Sequence, residues 1–170
     1  MAPLVRRGWA LRGKTPILLQ RTRLTEKVSA IAALGLSPVR KRTRLCVSLL
    51  ANQNMTTARF IRFLKSLRRH IRGPIIFIWD RLPVHRAKKV QKYLASVPGL
   101  HVEYLPPYSP HLNPVEMLWS YLKYHRLANF APFSVRHLAR VTRRHIRSFR
   151  GSQTLLRSFI RGTPLSSCLD

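Results

Sequence analysis

Apolar positions along the chain fall into stretches with two different periods. Residues 27–34, KVSAIAAL, make a short apolar run ended by Gly35, and residues 44–50, RLCVSLL, make a second. The Gly-Leu-Ser-Pro stretch between them predicts a turn, and so a hairpin. Thr56 and Thr57 then offer a helix N-cap. Phe60, Leu64, Leu67 and Ile71 recur at helical spacing until Gly73-Pro74 stops the run. Residues 75–79, IIFIW, are uninterrupted apolar, which fits a strand buried on both faces, as in a parallel sheet. Pro83 turns the chain. A helix from residue 86 places Val90, Leu94 and Val97 on one face before Pro98-Gly99 ends it. HVEYL is a short strand, PPYSPHLNP a rigid loop, and residues 113–126 the next helix. LANFAPF reads as a connection, residues 134–149 as a long helix, and LLRSFI as a shorter terminal one. Residues 1–24 are basic and turn-rich, with WALRGKTP as a hairpin or irregular strand pair. Strands alternating with helices after an initial strand pair argue for an α/β layer with some parallel strands. The expected division is a core over residues 1–130 and a basic helical segment over 131–170.

Charge changes this picture more than composition does. A chain of 170 residues with 45% hydrophobic content can build one core. Its 32 Lys and Arg face only five Asp and Glu, a formal net charge of +27. Self-repulsion of that size calls for a polyanionic partner, and nucleic acid is the first candidate. A membrane is the weaker candidate, because no stretch approaches the length of a spanning helix. The opening MAPLVRRGWALRGK lacks the apolar run of a signal peptide. Cys46 and Cys168 have no metal-type spacing and read as reduced cytosolic thiols. The seven His form no HExxH and no Cys/His cluster, which argues against zinc.

With so few acids, each can be weighed. Asp80 ends the most apolar strand, and the carboxyl ends of strands are where open α/β sheets bind ligands. The bland reading is a turn-starting Asp before Pro83. Glu116 lies three residues past Asn113, with Pro114 at the first helical position, the pattern of a capping box worth about 1 kcal/mol. Yet Val115, Leu118, Trp119 and Leu122 form the apolar stripe of that helix, and Glu116 falls on its border. Glu103 alternates away from Val102 and Tyr104, Glu26 precedes a strand, and Asp170 is terminal. Only Asp80 and Glu116 sit where strand ends and helix starts can converge. Two such carboxylates holding Mg²⁺ at a phosphate would suit phosphoryl transfer.

At these residues the chain resembles a known family. IIFIWDRLPVHRAKKVQKYL followed by HVEYLPPYSPHLNPVEMLWSYLK is similar to the catalytic core of DDE transposases, in the bacterial insertion-sequence branch related to mariner elements. In that family the second catalytic Asp ends a strand and is followed closely by Pro and His, here Asp80, Pro83 and His85. The third acid lies in Pro-x-x-Asn-Pro-x-Glu, here Pro110, Asn113, Pro114 and Glu116. The 35 residues between Asp80 and Glu116 agree with the family's spacing. RRGWALRGKTP and LLRSFIRGTPLS resemble family segments nearer the two ends. The resemblance implies an RNase H-like mixed sheet flanked by helices and a two-metal site using Mg²⁺ or Mn²⁺. It also implies cleavage and transfer of DNA strands at transposon ends, and a place in the bacterial cytoplasm with the nucleoid. The family's first catalytic Asp sits on a central first strand, and no Asp precedes Asp80 here. The expectation is therefore a core lacking that strand and the DNA-end-recognition domain, through a late start codon, a second reading frame or decay. Such a chain is expected to be inactive alone. Its partners would be DNA, a second copy of itself or a full-length transposase.

The long helix from Ser134 carries Arg136, Arg140, Arg143, Arg147 and Arg150 as one cationic stripe, with Val135, Leu138 and Ile146 on another face. A charge run is as often a solvated face. At this net charge the DNA backbone is the better partner, contacted without reading sequence. Arg81, His85 and Lys123 join the stripe as candidate DNA contacts, and Lys65, Arg68, Arg69 and Arg72 extend the basic supply. Two rival readings stay open: a non-catalytic basic DNA-binding protein, and a gene remnant that does not fold stably, since a missing strand exposes sheet edges.

Overall fold

The computed structural model describes residues 4–14, 17 and 26–169. The WALRGKTP pair therefore falls partly outside the described residues, and Asp170 wholly. Within them, a turn forms at Arg12 and Gly13, closed by the Lys14 N–H donating to the Leu11 carbonyl at 2.9 Å.

The first two strands, β1 (Val28–Ser37) and β2 (Arg42–Ala51), pair antiparallel in register from Val28↔Ala51 to Ser37↔Arg42. The hairpin is longer than its apolar run. Gly35 sits inside β1 opposite Arg44, so the turn falls beyond Ser37 and not at Gly35 as expected. Lys41, with φ 45°, takes the left-handed position that closes it. Helix α1 (Thr57–His70) follows, capped by the Thr56 hydroxyl accepting from the Arg59 N–H. Gly73, at φ 89°, lets the chain reverse into β3 (Ile75–Trp79). A single turn, α2 (Pro83–Arg86), leads into α3 (Lys88–Ala95), and β4 (Leu100–Tyr104) returns parallel to β3 in register Ile75↔Leu100 to Trp79↔Tyr104. The predicted parallel pair is thus present.

Its burial is not as the apolar run suggested. Phe77 and Trp79 face the helices, whereas Ile76 is 64% and Ile78 45% exposed. The strand is covered on one face only among the described residues. An unbroken apolar string reports what a strand could bury, not what lies over it.

Helix α4 (Pro114–Tyr121) runs into a π-helical turn, Leu122–Arg126, closed by the Leu127 N–H on the Leu122 carbonyl. The long α5 (Val135–Arg150) and α6 (Gln153–Arg161) complete the chain's helices before a 3₁₀ turn at Pro164–Leu169.

Two cores flank the hairpin. On one face Leu45, Leu118, Leu122, Ile146, Phe149, Leu156 and Phe159 join β2, α4, α5 and α6, with Ala32, Leu34, Val47 and Leu49 against them. Gln153 pins this layer: its side chain accepts from the Thr43 N–H and donates to the Thr43 carbonyl. On the other face Ile31, Ala33 and Cys46 pack on a cluster of Phe60, Leu64, Leu67, Trp79, Val90 and Leu94 from α1, β3 and α3. The strands divide into two sheets, β1–β2 and β3–β4, that share this second core without a described backbone bond between them. No described helix is long and apolar enough to cross a membrane.

Candidate active site

Asp80 leaves β3 at its carboxyl end, and the chain tightens at once around its side chain. The Leu82 N–H donates to Asp80 Oδ1 at 3.1 Å, an Asx-type turn of the kind Asp favours. His85 Nδ1 lies 2.8 Å from the same oxygen and 3.0 Å from the Asp80 carbonyl. Both partners are acceptors, so Nδ1 carries the proton and donates. The imidazole is fixed by packing: its ring stacks on Trp79 at 4.9 Å between centroids and 14° between planes, and meets Phe60 at 4.9 Å. His85 is 13% exposed and Asp80 41%. One carboxylate oxygen is thus held from inside, while Oδ2 has no partner among the described residues. The turn reading of Asp80 is met through Oδ1.

The route from Asp80 to Glu116 runs through β4. The Leu105 N–H donates to the Trp79 carbonyl at 2.9 Å, so the loop after β4 starts level with Asp80. A 3₁₀ turn at Pro110–Leu112 delivers Asn113, whose side-chain oxygen accepts from the Val115 N–H at 3.1 Å and caps α4. The capping box expected of Glu116 does not form. The Asn113 N–H that the glutamate would have reached is already donated to the Pro110 carbonyl at 3.1 Å. Glu116 is exposed on the first turn, and among the described residues no hydrogen bond or ion pair engages it. Leu118 and Leu122 on the same helix are buried, as the stripe predicted.

Among the described residues no three His, Cys, Asp or Glu side chains converge as a metal site. Asp80 is joined by His85, and Glu116 does not complete a third donor with them. Glu103 is exposed on the opposite face of β4 from Val102, as expected.

The candidate DNA contacts divide. Arg136, Arg140, Arg143 and Arg147 are exposed on α5, while Val135, Leu138, Ala139, Thr142, Ile146 and Phe149 form its buried side. Arg150 is tied into the fold, its Nε donating to the Leu45 carbonyl at 3.0 Å. Arg81 is exposed and lies over the Tyr104 ring at 5.8 Å, and Lys123 is exposed on the π turn. Of the first-helix cations, Arg68 donates to the Ile71 and Gly73 carbonyls, closing the end of α1. Among the described residues, the surroundings push His145 and Cys46 from their ordinary ranges. Burial, then Arg126 and Arg144, pushes His145 below its usual 6.5. Burial raises the Cys46 thiol against the opposing pull of Arg150 and Arg44.

Sequence reading passed over Asn129. Its side chain accepts from the Arg6 N–H at 2.7 Å and donates to the Arg6 carbonyl at 3.0 Å, and its own N–H donates to the Leu4 carbonyl at 2.9 Å. Arg6 also donates to the Tyr124 carbonyl. Nothing in a local pattern signals a contact across 123 positions.

The chain is similar in sequence and fold to known proteins. A 78-residue stretch is 36% identical to the insertion element IS630 uncharacterized 39 kDa protein of Shigella sonnei, covering 45% of this chain and 23% of that one. The crystal structure of the Mos1 strand transfer complex superposes with TM-score 0.62 at 17% identity, over 99% of this chain and 51% of its own. The Mos1 transposase paired-end complex with left transposon end gives 0.65 at 19%, over 98% and 49%, and the Mos1 mariner paired-end complex with Mn gives 0.59 at 18%, over 99% and 52%. The chain spans about half the length of these structures and less of the IS630 protein. Their likeness fixes the fold as RNase H-like. The family model described as DDE superfamily endonuclease matches residues 2–138, a span that includes both Asp80 and Glu116. Because that match covers most of its length, the chain belongs to the DDE superfamily of endonucleases, with similarity to an IS630 protein and to Mos1 transposase structures.

Proposed function

We propose that this chain supplies part of a DNA-cleaving and strand-transferring site of a transposase. In this reading Asp80 and Glu116 are two of its acidic ligands, within a core over residues 1–130, and the segment 131–170 lends a basic helix. The observation that carries it is the state of the two carboxylates. In a chain of net charge +27, Glu116 has no partner among the described residues, and one Asp80 oxygen has none either. Acids left open among so many cations suit a ligand that outcompetes Arg and Lys, and hard carboxylate oxygens suit Mg²⁺ or Mn²⁺. The donors fit in kind. Their number falls short, since no three-donor group exists among the described residues. When bound, divalent ions would activate the attacking oxygen and stabilise the leaving one. What the chain's own residues do is narrower. His85 and the Leu82 N–H hold Asp80 in one rotamer, and Asn113 sets the helix start that carries Glu116.

DNA is the proposed partner. The exposed arginines of α5, with Arg81 and Lys123, would contact backbone phosphates; His85, turned inward onto Asp80, would act through that carboxylate. Purified chain with Mg²⁺ or Mn²⁺ is expected to leave supercoiled DNA intact. A version extended upstream by an Asp-bearing strand is expected to nick it, and to lose nicking on Asp80→Ala or Glu116→Ala. Robust cleavage by the unextended chain, abolished by Asp80→Ala, overturns the claim that the site is incomplete.

A second reading draws on the open arginine face of α5: a non-catalytic DNA-binding protein acting beside a full-length transposase. Salt-sensitive binding unchanged by Asp80→Ala and Glu116→Ala, with no cleavage from any extended version, would favour it.

A further inference from the structure

We propose that Tyr108 is a platform on which an unpaired DNA base stacks at the candidate site; the inference rests on the DNA reading above. Three observations meet at this residue. The first is exposure. Tyr108 is 101% exposed, and no ring contact, cation or hydrogen bond of the described chain engages its side chain. A tyrosine that packs on nothing contributes nothing to the core. The second is backbone. Tyr108 has φ 55°, in the turn after Pro107. That left-handed position favours Gly or Asn, and a bulky residue there is an outlier. Neither packing nor turn chemistry accounts for the ring.

The third observation is place. The loop begins at Leu105, bonded to the Trp79 carbonyl beside Asp80, and ends at Asn113, the cap of the Glu116 helix. Tyr108 stands between the two acids along the chain. The loop is stiff. Pro106, Pro107 and Pro110 fix three φ angles, the Ser109 hydroxyl donates to the Pro107 carbonyl, and the Leu112 and Asn113 N–H groups donate to Ser109 and Pro110. A flat ring held out from a stiff loop loses little freedom on contact, which is what a stacking surface needs. Paired bases inside a duplex show no free face. The ligand is therefore a base at an unpaired position or frayed end, where strand-exchange chemistry works. Stacking tolerates every base, so the ring would position DNA and not read it. The exposed Arg81, over the ring of Tyr104 just before this loop, and the chain's net charge of +27 favour a nucleic acid over an apolar protein surface.

The test uses the whole chain and a duplex bearing a single-stranded 3′ tail with 2-aminopurine at its unpaired positions. The chain should quench the probe. Tyr108→Ala should abolish quenching and weaken binding of the tailed duplex about tenfold, while a blunt duplex binds both proteins alike. Tyr108→Phe should keep the quench. Tyr108→Gly should melt no lower than the parent, since it relieves the backbone, yet lose the quench. Unchanged quenching in Tyr108→Ala and Tyr108→Gly overturns the proposal while DNA binding stands. Failure of the chain to bind any DNA overturns the DNA reading itself, and this inference with it.

Discussion

At the scale of single residues, partners separate side chains that sequence treats alike. Arg140 and Arg150 lie on the same stripe at helical spacing, yet Arg140 is exposed and Arg150 bonds the Leu45 carbonyl. Arg150→Ala is expected to cost about 1–2 kcal/mol of folding stability, a hydrogen bond from a charged donor to a half-buried carbonyl. Arg140→Ala should leave the denaturation midpoint within error. It should weaken DNA binding and reduce the slope of log K against log salt by about 1. Denaturant melts beside a salt titration of both variants check this, and equal effects on both measures would refute the division. The stripe was legible because helical period alone builds it. The tie to Leu45 was not, since it depends on how α5 docks on β2.

At the scale of elements, α4 shows where local pattern stops. The sequence marked Asn113, Pro114 and Glu116 as a helix start, and the cap is there. The reciprocal bond from Glu116 is not, because the preceding 3₁₀ turn hands the Asn113 N–H to Pro110. Asn113→Ala should therefore lower stability by about 1 kcal/mol. Glu116→Gln should change it by less than about 0.5 kcal/mol, as an exposed group with no partner among the described residues. Thermal melts of the two variants decide it, and an equal loss in both would restore the capping role. The same limit applies to β3. Its apolar string foretold a strand and a parallel neighbour, both present, but not that Ile76 and Ile78 would stand open. Period describes a strand's own faces, and cover comes from other parts of the chain.

At the scale of the molecule, the fold class and the places of both acids followed from alternation of elements and from two motifs. Their surroundings followed only in part. An orienting or structural hydrogen-bonding role for His85 could be read from its place after Asp80, but the packing on Trp79 and Phe60 that fixes its ring could not. The division of strands into two sheets around a shared core was likewise invisible to local signals, since it depends on which edges find partners.

The clasp between Arg6 and Asn129 has a further consequence, in the order of proteolysis. Peptide bonds are cut where a segment can lie extended in a protease cleft. The carbonyl of Arg6 is engaged by Asn129, and its guanidinium by Tyr124. Arg12 stands in an exposed turn. Brief trypsin treatment should nick after Arg12 well before Arg6, read by mass spectrometry, and Asn129→Ala should bring the two rates together. Residues 4–6 are thereby stitched to the connection between α4 and α5, and removing them would loosen that connection.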